Sequence, residues 1–121
     1  MDIILLPQMF SVCKLPDLSG VDLNRPFCFL GVTDEEVSLV CPDDAVPADT
    51  LAREDGWRGF RVQGVLDFSL VGILAQISSL LARHGISIFA VSTYNTDYIF
   101  TKADVFDRAI AALVEAGYRA T

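Results

Sequence analysis

The chain has 121 residues and a formal charge of −7, from 16 acidic and nine basic side chains with no Lys/Arg cluster, so a phosphate backbone or an anionic membrane surface would repel it and nucleic acid and membrane are excluded as partners. It is 52% hydrophobic with a mean hydropathy of +0.43, apolar for one or two small lobes, which favours burial by self-association. The longest apolar runs stop at Gln76 and near Arg83, short of the ~20 residues of a bilayer span, and residues 1–7 lack the basic region of a signal peptide, so a cytoplasmic protein is expected.

In chain order, residues 2–15 read as strand, broken by Pro7 and stopped at Pro16. Residues 16–26 carry turn chemistry at both ends and have room for one short helical turn. Residues 27–32 and 37–41 are two strands about the acidic turn Thr33-Asp34-Glu35-Glu36, and Pro42 ends the pair. Residues 45–53 read as a weak helix with Pro47 in its first turn, followed by a Glu54-Asp55-Gly56 loop into a strand that begins at Trp57. The clearest element comes next. Leu70, Ile73, Leu74, Ile77, Leu80 and Leu81 recur at three- and four-residue spacing and form one buried helical stripe, with Gln76, Ser79 and Arg83 opposite. Ser69 is the expected N-cap, and Gly85 the left-handed C-terminal cap after Arg83 and His84.

Residues 86–91 are apolar on both alternating faces, Ile86/Ile88/Ala90 and Phe89/Val91, so this strand must be covered by helices on one side and another layer on the other. The polar elbow Ser92-Thr93-Tyr94-Asn95-Thr96-Asp97 leads into a further strand. Asp104 is expected to cap a final helix with Phe106, Ala109, Ile110 and Leu113 inside, ended by Gly117. Only four residues remain for a last strand, so the N-terminal strand is expected to help complete the sheet. The halves also echo one another: Val32-Thr33, an acidic Glu36 and a strand to Pro42-Asp43 parallel Ser92-Thr93, an acidic Asp97 and a strand to Ala103-Asp104. A degenerate duplication follows, with lobes at 1–56 and 57–121, the first lacking a convincing first helix.

Catalytic chemistry finds few groups. Cys13, Cys28 and Cys41 sit in apolar strand-like runs without CxxC spacing and read as buried small hydrophobes; with His84 the only histidine, no metal site and no cofactor are expected. His84 reads as a capping or surface side chain, and the carboxylates of 34–36 and 43–44 as solvated turns. The run Val62-Gln63-Gly64-Val65 is similar to the phosphate loop of acylphosphatases, but Leu66-Asp67-Phe68-Ser69 follows where that family continues into an arginine, so acylphosphatase-like hydrolysis is the least supported reading.

Three blocks in order, residues 64–73, His84-Gly85-Ile86-Ser87-Ile88 and residues 92–98, resemble an ACT domain. The nearest likeness is to small bacterial two-lobed ACT proteins related to aspartokinase regulatory domains and to the eukaryotic cytosolic arginine sensor. The resemblance implies an α+β fold of tandem ferredoxin-like (βαββαβ) lobes, the first degenerate, and non-catalytic sensing of a small molecule, an amino acid foremost, at the interface of a homodimer. By matching position, the ligand-binding residues are the helix-entry turn Ser69, Leu70, Val71 and Gly72, the elbow residues Thr93, Tyr94 and Asp97, and Ser87 with Ile88 from the facing domain. Turn amides suit an α-carboxylate and an acidic elbow residue an α-ammonium. Leu70 stands where the arginine sensor has an acidic residue, which points away from arginine. No attached effector domain is expected, so output would pass to a partner protein in trans. A purely structural dimerisation module and a different small metabolite remain open alternatives.

Overall fold

The structure, a computed structural model, describes residues 1–63 and 72–121. The strands are β1 (Asp2–Leu5), β2 (Phe10–Leu15), β3 (Phe29–Val32), β4 (Val37–Pro42), β5 (Ala52–Val62), β6 (Phe89–Ser92), β7 (Asp97–Lys102) and β8 (Arg119–Ala120); the helices are α1 (Ile73–Arg83) and α2 (Ala103–Glu115). The chain divides into two compact units, Met1–Pro7 with Arg58–Thr121, and Gln8–Trp57. Strand β5 contributes to both.

In the larger unit the strands run β8-β1-β5-β7-β6, with β1 antiparallel to β5 and parallel to β8, and β6 antiparallel to β7. The N-terminal strand therefore takes the place that closes a ferredoxin-like sheet, as its apolar sequence and the short C-terminal strand lead one to expect. Ile3, Phe60, Val62 and Ile99 on the sheet meet Ile77 and Leu81 of α1 and Phe106, Ala109 and Leu113 of α2 in one buried cluster. Ile73, Leu74, Leu80 and Ile110 pack at its margin, so the stripes read from periodicity are the buried ones from Ile73 on; Leu70 lies outside the described residues.

Both helices stop in the same way. At the end of α1, Gly85 N–H donates to the Ala82 carbonyl at 3.0 Å and Ile86 N–H to that of Leu81 at 3.0 Å; at the end of α2, Gly117 donates to Val114 at 3.0 Å and Tyr118 to Leu113 at 3.0 Å. The motif needs a left-handed residue after the helix, and Gly85 (φ 71°) and Gly117 (φ 107°) supply it. Asp104 does not cap α2. Lys102 occupies the N-cap without a side-chain bond, and Asp104 lies within the first turn, where its carboxylate still opposes the positive end of the helix.

The smaller unit repeats the pattern with less. Its strands run β3-β4-β2-β5, all antiparallel. Buried Cys13, Leu15, Leu39 and Cys41 are covered by Val21, Cys28, Ala45 and Val46, where the larger unit has helices. No helix forms between β2 and β3 because side chains there bond to nearby main chain: Asp17 accepts from the Ser19 N–H at 2.9 Å, and Asp22 from the Asn24 N–H at 3.0 Å. The helix expected at 45–53 is absent too; a single 3-10 turn, Asp43–Ala45, stands in its place and β5 begins at Ala52. Nor is Glu54-Asp55-Gly56 a loop. It lies inside β5, which carries one extra residue opposite Phe10–Val12 of β2.

The two hairpins repeat at a spacing of 60 residues. Phe29↔Val40 through Val32↔Val37 matches Phe89↔Phe100 through Ser92↔Asp97, pair for pair. The duplication is thus visible in register. It also corrects the alignment read from sequence, since Glu36 corresponds to Thr96 and Asp97 to Val37.

Close packing on the sheet face opposite the helices gives one testable consequence. A Cβ at Gly59 would lie 2.7 Å from Cδ1 and Cε1 of Phe100, which is fully buried and stacked on Phe89 at 4.8 Å between centroids. Gly59→Ala is expected to destabilise the protein by about 1–3 kcal/mol, read as a lower urea midpoint at unchanged slope; an unchanged midpoint would mean that the Phe100 ring yields freely.

Candidate functional site

Strand β5 ends at Val62, and the chain returns to description at Gly72, the N-cap of α1. Gly72 is exposed at φ 88°, in the left-handed region, and its carbonyl accepts the Gln76 N–H at 2.7 Å. It directly precedes the helix, as a residue of the entry turn should. As a glycine it offers no side-chain acceptor of its own to the first N–H groups. The N-cap is thus Gly72 and not the expected Ser69. The expected site residues Ser69, Leu70 and Val71 and the acylphosphatase-like run from Gly64 onward lie outside the described residues.

The elbow comes to the same end of the sheet. Thr96, 6% exposed, donates from Oγ1 to the Val62 carbonyl at 2.9 Å. Within the loop, Thr93 N–H and Oγ1 each donate to the Thr96 carbonyl at 2.9 Å, and Thr93 Oγ1 accepts the Thr96 N–H at 3.4 Å. At the loop's base, Ser92 Oγ donates to Asp97 Oδ1 at 2.6 Å, which fixes the carboxylate on the last pair of the hairpin. Tyr94 projects from the tip, 79% exposed. Beside them Arg61 Nη1 approaches the Tyr98 hydroxyl at 3.4 Å. The elbow thus offers a held carboxylate, while the Thr93 hydroxyl is occupied in keeping the loop closed. Sequence reasoning missed Ser92 and Thr96. The signal for Ser92 was its place directly across the hairpin from Asp97; Thr96 had none, because its partner is 34 residues away.

Ser87 and Ile88 lie elsewhere. They follow the C-terminus of α1, and a helix of 11 residues spans about 16 Å. There they line an open groove of about 640 Å³ with Ser78, Ser79, Ala82 and Gly85. Residues 86–88 precede β6, which begins only at Phe89. One copy of the fold therefore groups Thr93 and Asp97 with the end of β5 and keeps Ser87 and Ile88 at the other end of α1 from Gly72.

The sequence profile of the ACT domain family matches residues 52–115, more than half of the chain. The chain belongs to the ACT domain family. Solved structures agree with the fold. A protein from Agrobacterium tumefaciens is 27% identical with a TM-score of 0.86, covering 99% of this chain and 91% of that one. The regulatory subunit of aspartate kinase from Thermus thermophilus, in its ligand-free form, superposes with a TM-score of 0.64 at 13% identity, over 95% of this chain and 96% of that one. Aspartate kinase from Clostridium acetobutylicum gives 0.64 at 15% identity, over 90% of this chain but 33% of the enzyme. No curated protein sequence matches the chain. The ACT fold here is α+β with two ferredoxin-like lobes, the first of them reduced.

His84 lies at the end of α1, its Nδ1 2.9 Å from the Leu80 carbonyl. All three cysteines are free, with Cys13 and Cys41 buried and Cys28 partly so. Burial pushes the Cys13 and Cys28 thiols up, and pushes Cys41 from 9.0 up to about 12, with Cys13 and Cys28 nearby adding to it. Because the folded value lies above the unfolded one, the stability that Cys41 contributes is fully present below pH 9.0 and is lost as the pH rises toward about 12. Urea midpoints of the wild type are expected to fall over that window, and those of Cys41→Ala to fall less steeply from a lower start. Parallel curves would contradict it. Among the described residues no three His, Cys, Asp or Glu side chains converge as metal ligands do, and no helix is long and apolar enough to cross a membrane.

Proposed function

We propose that this ACT protein is a non-catalytic sensor of a free amino acid, bound between two copies of the chain. The turn Ser69, Leu70, Val71 and Gly72 and the elbow residues Thr93, Tyr94 and Asp97 of one copy face Ser87 and Ile88 of the other. The observation that carries this reading is the juxtaposition at one sheet end of a carboxylate held by Ser92 and the elbow's anchor to Val62, the last residue of the strand that precedes α1. Asp97 suits an α-ammonium, and helix N–H groups suit an α-carboxylate. The separation of Ser87 and Ile88 from Gly72 along α1 is what a site completed by a second copy requires.

Charge supports the same choice of interface. Residues 8–57 hold ten of the 16 acidic and three of the nine basic side chains, so the whole −7 lies there, while residues 1–7 with 58–121 hold six of each. Self-association through the smaller unit would meet like-charge repulsion, and the balanced larger unit would not. In this reading the lobes expected at 1–56 and 57–121 divide the work, with residues 1–7 serving the second: the first, without a helix entry, binds no ligand, and the second binds one. The three free thiols suit a reducing compartment, the cytoplasm. Ligand would favour one arrangement of the two subunits, and a partner protein in trans would read it. A dimerisation module without ligand is the second reading, favoured by the engagement of the Thr93 hydroxyl inside its own loop.

Native mass spectrometry after dialysis against an equimolar mixture of the twenty amino acids tests the proposal. A dimer carrying one amino acid per chain is expected. A dimer of bare mass supports the module instead, and a bare monomer removes both.

A further inference from the structure

The two hairpins close their loops with the same pair of threonine-centred contacts. Thr33 N–H donates to the Glu36 carbonyl at 2.9 Å, as Thr93 N–H does to Thr96 at 2.9 Å, and in each the first threonine's Oγ1 points at the same carbonyl, at 3.4 Å and 2.9 Å. Each loop also returns an N–H to that hydroxyl, Glu36 at 3.1 Å and Thr96 at 3.4 Å. The loops differ in the side chain at their last position. Glu36 is exposed; Thr96 is buried, and its hydroxyl reaches across to the main chain of β5. The threonine-centred closure thus suffices to make the turn, and the Thr96–Val62 bond is an addition whose counterpart position in the other hairpin is the exposed Glu36.

Resting on the amino-acid reading above, we propose that Thr96 is the positioning residue of this site: its buried hydroxyl sets the elbow on the end of β5 and thereby fixes where the Asp97 carboxylate stands. The carboxylate is the adjoining residue and is held to Ser92 on the neighbouring strand, so the hairpin end moves as one piece. A carboxylate recognising an ammonium loses most of its advantage when its position is left free, because the ordering cost then falls on binding. A methyl group in place of the hydroxyl removes this bond across to β5 while keeping the side chain's size.

The molecule carries its own reference for the test. Thr33 and Thr93 amides make bonds of equal length in equivalent turns, one without the anchor and one with it. In the wild type, hydrogen exchange at the Thr93 amide is expected to be slower than at Thr33 by about tenfold; in Thr96→Val the two become similar, and Thr96→Ser restores the difference. In parallel, each variant is melted in each of the twenty free amino acids at 10 mM. An amino acid that stabilises the wild type should bind Thr96→Val about tenfold more weakly and Thr96→Ser nearly as well as the wild type. An unchanged Thr93 rate in Thr96→Val overturns the proposal whatever the melts show. Faster exchange with undiminished amino-acid binding overturns it as well, leaving Thr96 a fold residue only. Faster exchange with a wild type that responds to no amino acid upholds the anchor and removes the amino-acid reading beneath it.

Discussion

Phe106→Ala is expected to cost about 3–5 kcal/mol and to lower the melting temperature by roughly 10–20 °C, the largest effect of any single change considered. Phe106 is 1% exposed, on the face of α2 that meets the sheet, and packs in the cluster of Ile3, Phe60, Val62 and Ile99. Its removal leaves a void between a helix and a sheet, elements that close poorly on a gap. A second loss adds to the first. The Arg58 guanidinium lies 4.5 Å from the centre of the Phe106 ring; its Nη2 donates to the Leu6 carbonyl at 3.3 Å, but its buried Nε has no hydrogen-bond partner among the described residues, so the ring face is part of what offsets the burial of that charge. Phe106→Leu, which refills much of the volume but gives no ring, should recover more than half of the loss. Equal midpoints for the alanine and leucine variants would mean that packing plays no part; full recovery by leucine would mean that the cation and ring do not interact.

Asp97→Ala is expected to weaken amino-acid binding by roughly 30-fold or more, with little change in stability. The carboxylate sits on the terminal pair of an edge hairpin, where its structural partner is the exposed Ser92 hydroxyl, which water can satisfy after the change. Binding is another matter, since an ammonium brought to this loop would be left without its counter-charge. Asp97→Asn keeps an acceptor for Ser92 but not the charge, so it should match Asp97→Ala in binding. If asparagine restores binding, hydrogen bonding and not charge is what the elbow provides.

How much of this was legible in the sequence depended on how local its causes were. Helix α1 was readable at both its stripe and its exit, because burial of Ile77 and Leu81 follows from spacing and the Gly85 turn from the glycine itself. The strand character of the N-terminal residues was readable from their apolar run. By contrast, Glu54-Asp55-Gly56 has loop composition and only its ladder with β2 makes it a strand, a cause that lies some 40 residues away. Residues 45–53 have tolerable helix propensity but no apolar stripe to bury, so β5 claims their end and Pro47 keeps the rest open. At the site, the acidic elbow was visible as composition. Its construction was not: the hydroxyl that holds Asp97 comes from Ser92 across the hairpin, and the one that anchors the loop comes from Thr96, whose alignment with Glu36 appears only once the two registers are compared.

Melting the wild type and Asp97→Ala side by side in each of the twenty free amino acids tests the sensor reading most directly. Ligand that binds only the folded state raises stability by RT ln(1 + [L]/Kd), about 2.7 kcal/mol at 100-fold over Kd, or several degrees for a chain of this size. The expected result is one amino acid, or one chemical class, that stabilises the wild type and leaves Asp97→Ala where it was. A wild type that melts at one temperature in all twenty, or a variant that responds as the wild type does, would contradict an amino-acid site at this elbow.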